Sequence, residues 1–219
     1  MPIRKTFLAN GEVYHICTKS IAGYQVFKSS ADYKRCLEAL CYYRIKNPPE
    51  KFSRFLKLKQ KKHNSLIINP EDGKSIVKII AYCLMPTHIH LVLQQIEENG
   101  ISDYMGNILK SYSLYFNSMN NRKGPLWENR FRNVLVKTDE QLLHLTRYLH
   151  LNPVTAYLVE KPEYWEYSSC HEYLGNTTQT RICEFEEFIE IKQDEYKEFM
   201  NSRIDEQRDS ARIKSLILD

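Results

Sequence analysis

Ile79-Ile80-Ala81-Tyr82-Cys83-Leu84-Met85-Pro86-Thr87-His88-Ile89-His90-Leu91-Val92-Leu93 divides at its Pro86-Thr87 corner into two apolar runs. Their composition predicts strands over Ser75–Met85 and His88–Gln95, and an antiparallel pair is the simplest connection for so short a turn. Successive side chains of a strand point to opposite faces, so His88 and His90 share one face while Ile89, Leu91 and Leu93 take the other. Two imidazoles on one face present two nitrogen donors to a single ion.

Upstream, Val13-Tyr14-His15-Ile16-Cys17-Thr18 has the β-branched, aromatic and alternating character of a third strand. Asp32–Lys46 carries Tyr33, Leu37, Leu40 and Cys41 at helical spacing and is stopped by Asn47-Pro48-Pro49. Downstream, Ser102–Asn120 reads as a long helix with Tyr104, Ile108, Tyr112, Tyr115 and Met119 along it, Tyr112 and Tyr115 being packing residues. Strand-like composition returns in Leu126–Lys137 around Val134-Leu135-Val136. A last helix is predicted over Asp139–Asn152, capped by Asp139, buried through Leu142, Leu145 and Leu149, and ended by Pro153. Tyr148 and Asn152 stand one turn apart on one face of that helix.

The chain has 219 residues, 42% of them hydrophobic, which suits one domain with a small appendage. No apolar run approaches the roughly 18 residues needed to span a bilayer, and Met1-Pro2-Ile3-Arg4-Lys5-Thr6 leads into no signal-peptide core, so a cytoplasmic protein with no membrane partner is expected. Six cysteines contain no C-x-x-C pair and read as reduced, structural residues. Residues 184–219 hold 11 acids and 6 bases, net −5, which leaves 16 acids and 25 bases, net +9, in residues 1–183 of a chain whose total is +4. A basic body favours a polyanionic partner, nucleic acid first.

Two same-face histidines supply only part of a metal shell, and for magnesium or manganese the missing donor should be an oxygen. Asn152 can supply it, which places the Tyr148 phenol near whatever the ion binds. A phenol with a pKa of about 10 is a poor nucleophile at neutral pH and must lose its proton as it attacks.

Four ordered motifs give these residues a family likeness. Leu84-Met85-Pro86-Thr87-His88-Ile89-His90-Leu91-Val92-Leu93, Gly124-Pro125-Leu126-Trp127-Glu128-Asn129-Arg130-Phe131-Arg132, Arg147-Tyr148-Leu149-His150-Leu151-Asn152-Pro153-Val154 and Tyr167-Ser168-Ser169 resemble those of the REP-associated tyrosine transposases. These are HUH-superfamily single-strand DNA transposases with one catalytic tyrosine. The resemblance spans about residues 10 to 175. It implies an α+β fold, a central antiparallel sheet flanked by helices in an RRM-like sandwich, which agrees with the element order above. It implies His88 and His90 as metal ligands, Tyr148 as nucleophile and Asn152 as third ligand, where many mobile relatives carry glutamine. The cofactor implied is Mg2+ or Mn2+, and the partner is single-stranded DNA bearing a hairpin. The implied reaction is cleavage through a 5′-phosphotyrosine that leaves a free 3′-OH, with rejoining as its reverse. Relatives include dimers whose tyrosine helix serves the partner's histidines as well as monomers, so both states are admitted. The alternative is a hairpin-DNA-binding regulatory protein without turnover, which would have no chemical reason to retain His88, His90, Tyr148 and Asn152 together.

Other signals carry two readings. The basic stretch Lys51–His63, with Lys57, Lys59, Lys61 and Lys62, is either a solvated helix face or a DNA-contact surface. Arg130 and Arg132 alternate on a strand-like segment and so face one way, which suits phosphate contact as well as a solvated face. Trp127 reads as a core aromatic, with base stacking the alternative. Residues 1–183 are expected to form the transposase domain and residues 184–219 an acidic helical extension. That extension either packs on the body or covers its basic surface against DNA.

Overall fold

A computed structural model describes residues 7–48, 50–61, 74–128, 130–176 and 181–202. Along these run β1 (Val13–Lys19), α1 (Ser30–Tyr43), α2 (Phe52–Lys61), β2 (Val77–Met85), β3 (His88–Gln95), α3 (Gly100–Met119), β4 (Arg132–Val136), α4 (Asp139–Thr155), α5 (Cys170–Tyr173) and α6 (Gln193–Asn201). The strands form one antiparallel sheet in the order β2-β3-β1-β4, which is the expected α+β architecture.

The Pro86-Thr87 corner sets the register, pairing Met85 with His88 and Cys83 with His90. β1 lies between β3 and β4, so Cys17 is opposite both His90 and Arg132, and His15 is opposite both Val92 and Val134. Lys19 is opposite His88. Directly paired residues share a face, and one face of the sheet therefore collects His15, Cys17, Lys19, His88, His90 and Arg132. On the other face Tyr14, Ile16, Ile89, Leu91 and Leu93 are buried; α3 packs on β2 and β3, and α1 packs on α3.

Helix limits follow local hydrogen bonding. α1 begins at Ser30, two residues before the expected start, because Ser29 and Asp32 form a reciprocal capping box. It stops at Tyr43, short of the expected Lys46. There the chain turns to pair with residues 74–76, Ile76 N donating to Arg44 O at 2.8 Å and Lys46 N to Lys74 O at 3.0 Å. α4 is capped by Thr138 rather than Asp139, the Thr138 hydroxyl accepting from Gln141 N at 3.1 Å while Asp139 and Glu140 sit in the first turn. Nor does Pro153 end α4, which runs to Thr155. Proline removes one donor and disfavours helix at the residue before it, but here Asn152 O still accepts from Ala156 N at 2.9 Å, and Pro153 and Val154 are buried.

Although β2 is an edge strand, its outer side is covered. Leu84 N donates to Tyr167 O, Ser169 N to Tyr82 O and Glu184 N to Ile79 O, each at 2.9 Å, which closes the unpaired edge. Beyond it Phe185, Ile189, Tyr196 and Met200 join the same hydrophobic core as the sheet, and α6 packs on α4. At the start of α3, Gly100 lies against the chain entering β2, and a Cβ there would overlap Ile76 O. Gly100→Ala is therefore expected to destabilise the fold by about 1–3 kcal/mol, as overpacking does; an unchanged melting curve would show that Ile76 yields freely.

Candidate active site

The shared face of β1, β3 and β4 opens into a pocket of about 300 Å3 lined by His15, Cys17, Lys19, His88, His90, Arg132 and Tyr148. The sheet positions all but the last; α4 delivers Tyr148. The Tyr148 ring meets His90 edge to face with centroids 5.9 Å apart, and His15 likewise at 6.5 Å. Its phenol is half-buried, and burial pushes it above the usual tyrosine range, Cys17 adding to the rise and the Asn152 amide opposing it. Asn152 does not line the pocket and stands one turn beyond Tyr148. Its Nδ2 is buried with no hydrogen-bond partner, so the amide approaches the phenol without completing a bond.

The histidines are arranged as donors. His88 Nδ1 lies 2.9 Å from Thr87 Oγ1, and His90 Nδ1 lies 3.0 Å from His15 Nε2. Both Nδ1 atoms are thereby engaged, which leaves Nε2 of each ring to face a ligand. Burial pushes His88 down to about 4, helped by the Lys19 charge. His90 falls to about 2 through burial first and then the neighbouring His88, His15 and Lys19. Both imidazoles are therefore neutral at pH 7, the state in which a ring nitrogen offers a lone pair. Among the described residues no group of three or more His, Cys, Asp or Glu side chains could hold a metal ion. A cation at the histidine pair thus needs oxygen donors of another kind. The amide of Asn152 is one: turned over, it would place Oδ1 where the partnerless Nδ2 now lies.

Behind Tyr148 a buried hydrogen-bond chain anchors α4. His150, fully buried, has Nδ1 at 2.7 Å from Tyr196 Oη and Nε2 at 2.8 Å from Ser169 Oγ. Tyr196 donates to Thr146 Oγ1 at 3.0 Å, and Thr146 donates to Leu143 O at 2.9 Å. Because the Tyr196 hydroxyl spends its proton on Thr146, Nδ1 of His150 is the donor in its contact with Tyr196. Tyr82 N donates to Ser169 Oγ at 2.9 Å, so the chain joins β2, the start of α5, α4 and α6.

The predicted DNA contacts separate. Arg132 opens β4 and lines the histidine pocket. Arg130 does not face the same way: it precedes the strand and lines a second groove with Lys110, Trp127 and Phe131 beside α3. Strand alternation does not extend back to Arg130, because β4 begins only at Arg132. Trp127 is a core aromatic whose Nε1 donates to Leu109 O at 3.3 Å. Lys57 and Lys59 do not line the histidine pocket. Their helix α2 docks Phe52 against Tyr42 and Tyr43 of α1, and Lys59 pairs with Glu38 at 3.1 Å. The Lys61 side chain and Lys62 lie outside the described residues. Tyr112 and Tyr115 are packing residues, donating to Val26 O at 2.6 Å and to Asp32 Oδ1 at 3.0 Å. His15, Cys17 and Lys19 are members of the site that sequence reasoning missed. Their signal was the alternation of Val13–Lys19, which puts them on one face opposite Tyr14, Ile16 and Thr18.

Among the described residues no helix is long and apolar enough to cross a membrane. Comparison with known proteins agrees with the architecture. A curated relative from Haemophilus influenzae, "Putative REP-associated tyrosine transposase", is 29% identical over 102 residues, 42% of this chain; the match spans 58% of that relative's length. The solved structure of a REP-associated tyrosine transposase bound to a REP hairpin superposes with a TM-score of 0.53 at 17% identity, covering 87% of this chain and 99% of that one, a likeness of fold. The sequence model of the family "Transposase IS200 like" matches residues 38–152. That range runs from α1 through Asn152, takes in His88, His90 and Tyr148, and exceeds half the chain, which therefore belongs to the IS200-like transposases.

Proposed function

We propose that this chain cuts and rejoins single-stranded DNA beside a hairpin, with Tyr148 as nucleophile. The observation that carries this reading is the meeting of the Tyr148 ring with His90 in a pocket that also holds Lys19 and Arg132. Two cations beside a nucleophile suit a phosphodiester. The relative named as REP-associated and the solved structure bound to a REP hairpin support REP-like hairpin DNA as the partner.

In the proposed step Tyr148 Oη attacks phosphorus and the bond from phosphorus to the 3′ oxygen breaks. The proton lost from Oη is balanced by the one taken up at the 3′-OH, and the 5′ phosphate stays on the tyrosine. Lys19 and Arg132 hold the phosphate and offset its charge, and the packing of Tyr148 against His15 and His90 fixes the line of attack. Nε2 of His88 and His90, with the Asn152 amide oxygen, would hold Mg2+ or Mn2+. When bound, such an ion supplies Lewis-acid polarisation of a phosphate oxygen. Tyr148 meets the histidines within one chain, which supports a site assembled in cis. The linkage energy is kept in the phosphotyrosine, so no nucleotide is consumed.

The test is incubation with hairpin-bearing single strands and Mn2+, followed by a denaturing gel. A covalent protein–DNA adduct that disappears when EDTA precedes the DNA is the expected result. Tight hairpin binding with no adduct in any matched strand would favour a binder without turnover.

A further inference from the structure

We propose that His15 is a positioning residue that sets which nitrogen of His90 is free to bind a cation, an inference that rests on the metal-assisted reading above. His15 Nε2 and His90 Nδ1 are 3.0 Å apart, and their rings lie within 14° of parallel. Two neutral imidazoles at that separation share one proton, and its place decides the chemistry of the other edge of His90. If His15 donates, His90 accepts at Nδ1 and carries its own proton on Nε2, where it blocks a metal. If His90 donates, its Nε2 keeps a lone pair and His15 carries its proton on Nδ1. The second arrangement is the one a metal ligand requires, and a partner on the far nitrogen is the usual device for fixing a ligating histidine.

Register makes the contact. His15 is opposite Val92, two residues along β3 from His90, so the two histidines sit diagonally on adjacent strands of one face. That neighbour distance lies within reach of a ring. Because the Tyr148 ring packs edge-on against both imidazoles, displacing either would also move the phenol. His15 thus acts through His90 rather than on the DNA.

The experiment uses Mn2+ alone as probe. Mn2+ binding to the full chain is measured by electron paramagnetic resonance for the unaltered protein, His90→Ala, His15→Leu and His15→Gln, each checked for folding by circular dichroism. Loss of such a supporting partner costs about 10–100-fold in affinity. That loss is expected for His15→Leu, with recovery to within about threefold in His15→Gln, whose amide oxygen can accept from Nδ1. Ring 15N spectra of the unaltered metal-free protein provide a readout that does not depend on a variant folding, and His90 is expected as its Nδ1–H tautomer. Equal Mn2+ affinity in His15→Leu, or His90 as the Nε2–H tautomer, overturns the assignment. Absence of Mn2+ binding in the unaltered chain, or binding undiminished in His90→Ala, removes the metal reading itself and the assignment with it.

Discussion

Tyr148→Phe should abolish the covalent DNA adduct and lower strand cleavage by at least about 10³-fold, the scale on which loss of a covalent nucleophile is felt. The substitution keeps the ring that packs edge-on to His15 and His90 and removes one hydroxyl. Hairpin affinity should therefore change by less than about threefold, since Lys19, Arg132 and the sheet face are untouched and carry the phosphate attraction. Gel analysis of the adduct beside a filter-binding isotherm separates the two quantities. An adduct that survives Tyr148→Phe would assign the nucleophile elsewhere, the tyrosines of α3 being poor candidates because Tyr104, Tyr112 and Tyr115 spend their hydroxyls on Leu40, Val26 and Asp32.

The readable part of this site was local and the unread part was not. His88 and His90 could be placed on one face because a single hairpin, turning at Pro86-Thr87, fixes their relation, and β3 has the limits expected of it. Tyr148 and Asn152 are related by one turn of one helix. That His15, Cys17 and Lys19 complete the pocket depends on β1 pairing with β3 over some seventy residues, a choice made by the burial of Tyr14, Ile16, Ile89 and Leu91 together and not by any local pattern. The same limit explains Arg130. Its two-residue spacing from Arg132 means a shared face only inside a strand, and where β4 begins depends on its pairing with β1. The end of α4 was misjudged for an energetic reason: the penalty of Pro153 is outweighed by burial of Pro153 and Val154.

The acidic extension offers the largest expected effect. A chain stopped after Cys183 should fail to fold rather than bind DNA more tightly, contrary to what an electrostatic cover predicts. Phe185, Ile189, Tyr196 and Met200 are 8%, 7%, 1% and 0% exposed. Burying a large apolar side chain is worth about 1.5–3 kcal/mol, so losing four removes about 6–12 kcal/mol, comparable to the about 5–15 kcal/mol of a whole domain. Tyr196 also takes the Nδ1 proton of His150, and without it a buried donor two residues from Tyr148 is left unpaired. Two of its acids are placed for the same role, Glu184 pairing with Arg44 at 3.4 Å and Glu187 with Lys78 on β2, and none of the described extension residues lines the histidine pocket. Calorimetry of the truncated chain should show no cooperative transition. A transition within a few degrees of the full chain, accompanied by raised hairpin affinity, would return the extension to the role of a cover. The expected outcome instead makes it a brace for α4, by which residues from 184 onward hold the helix that carries Tyr148.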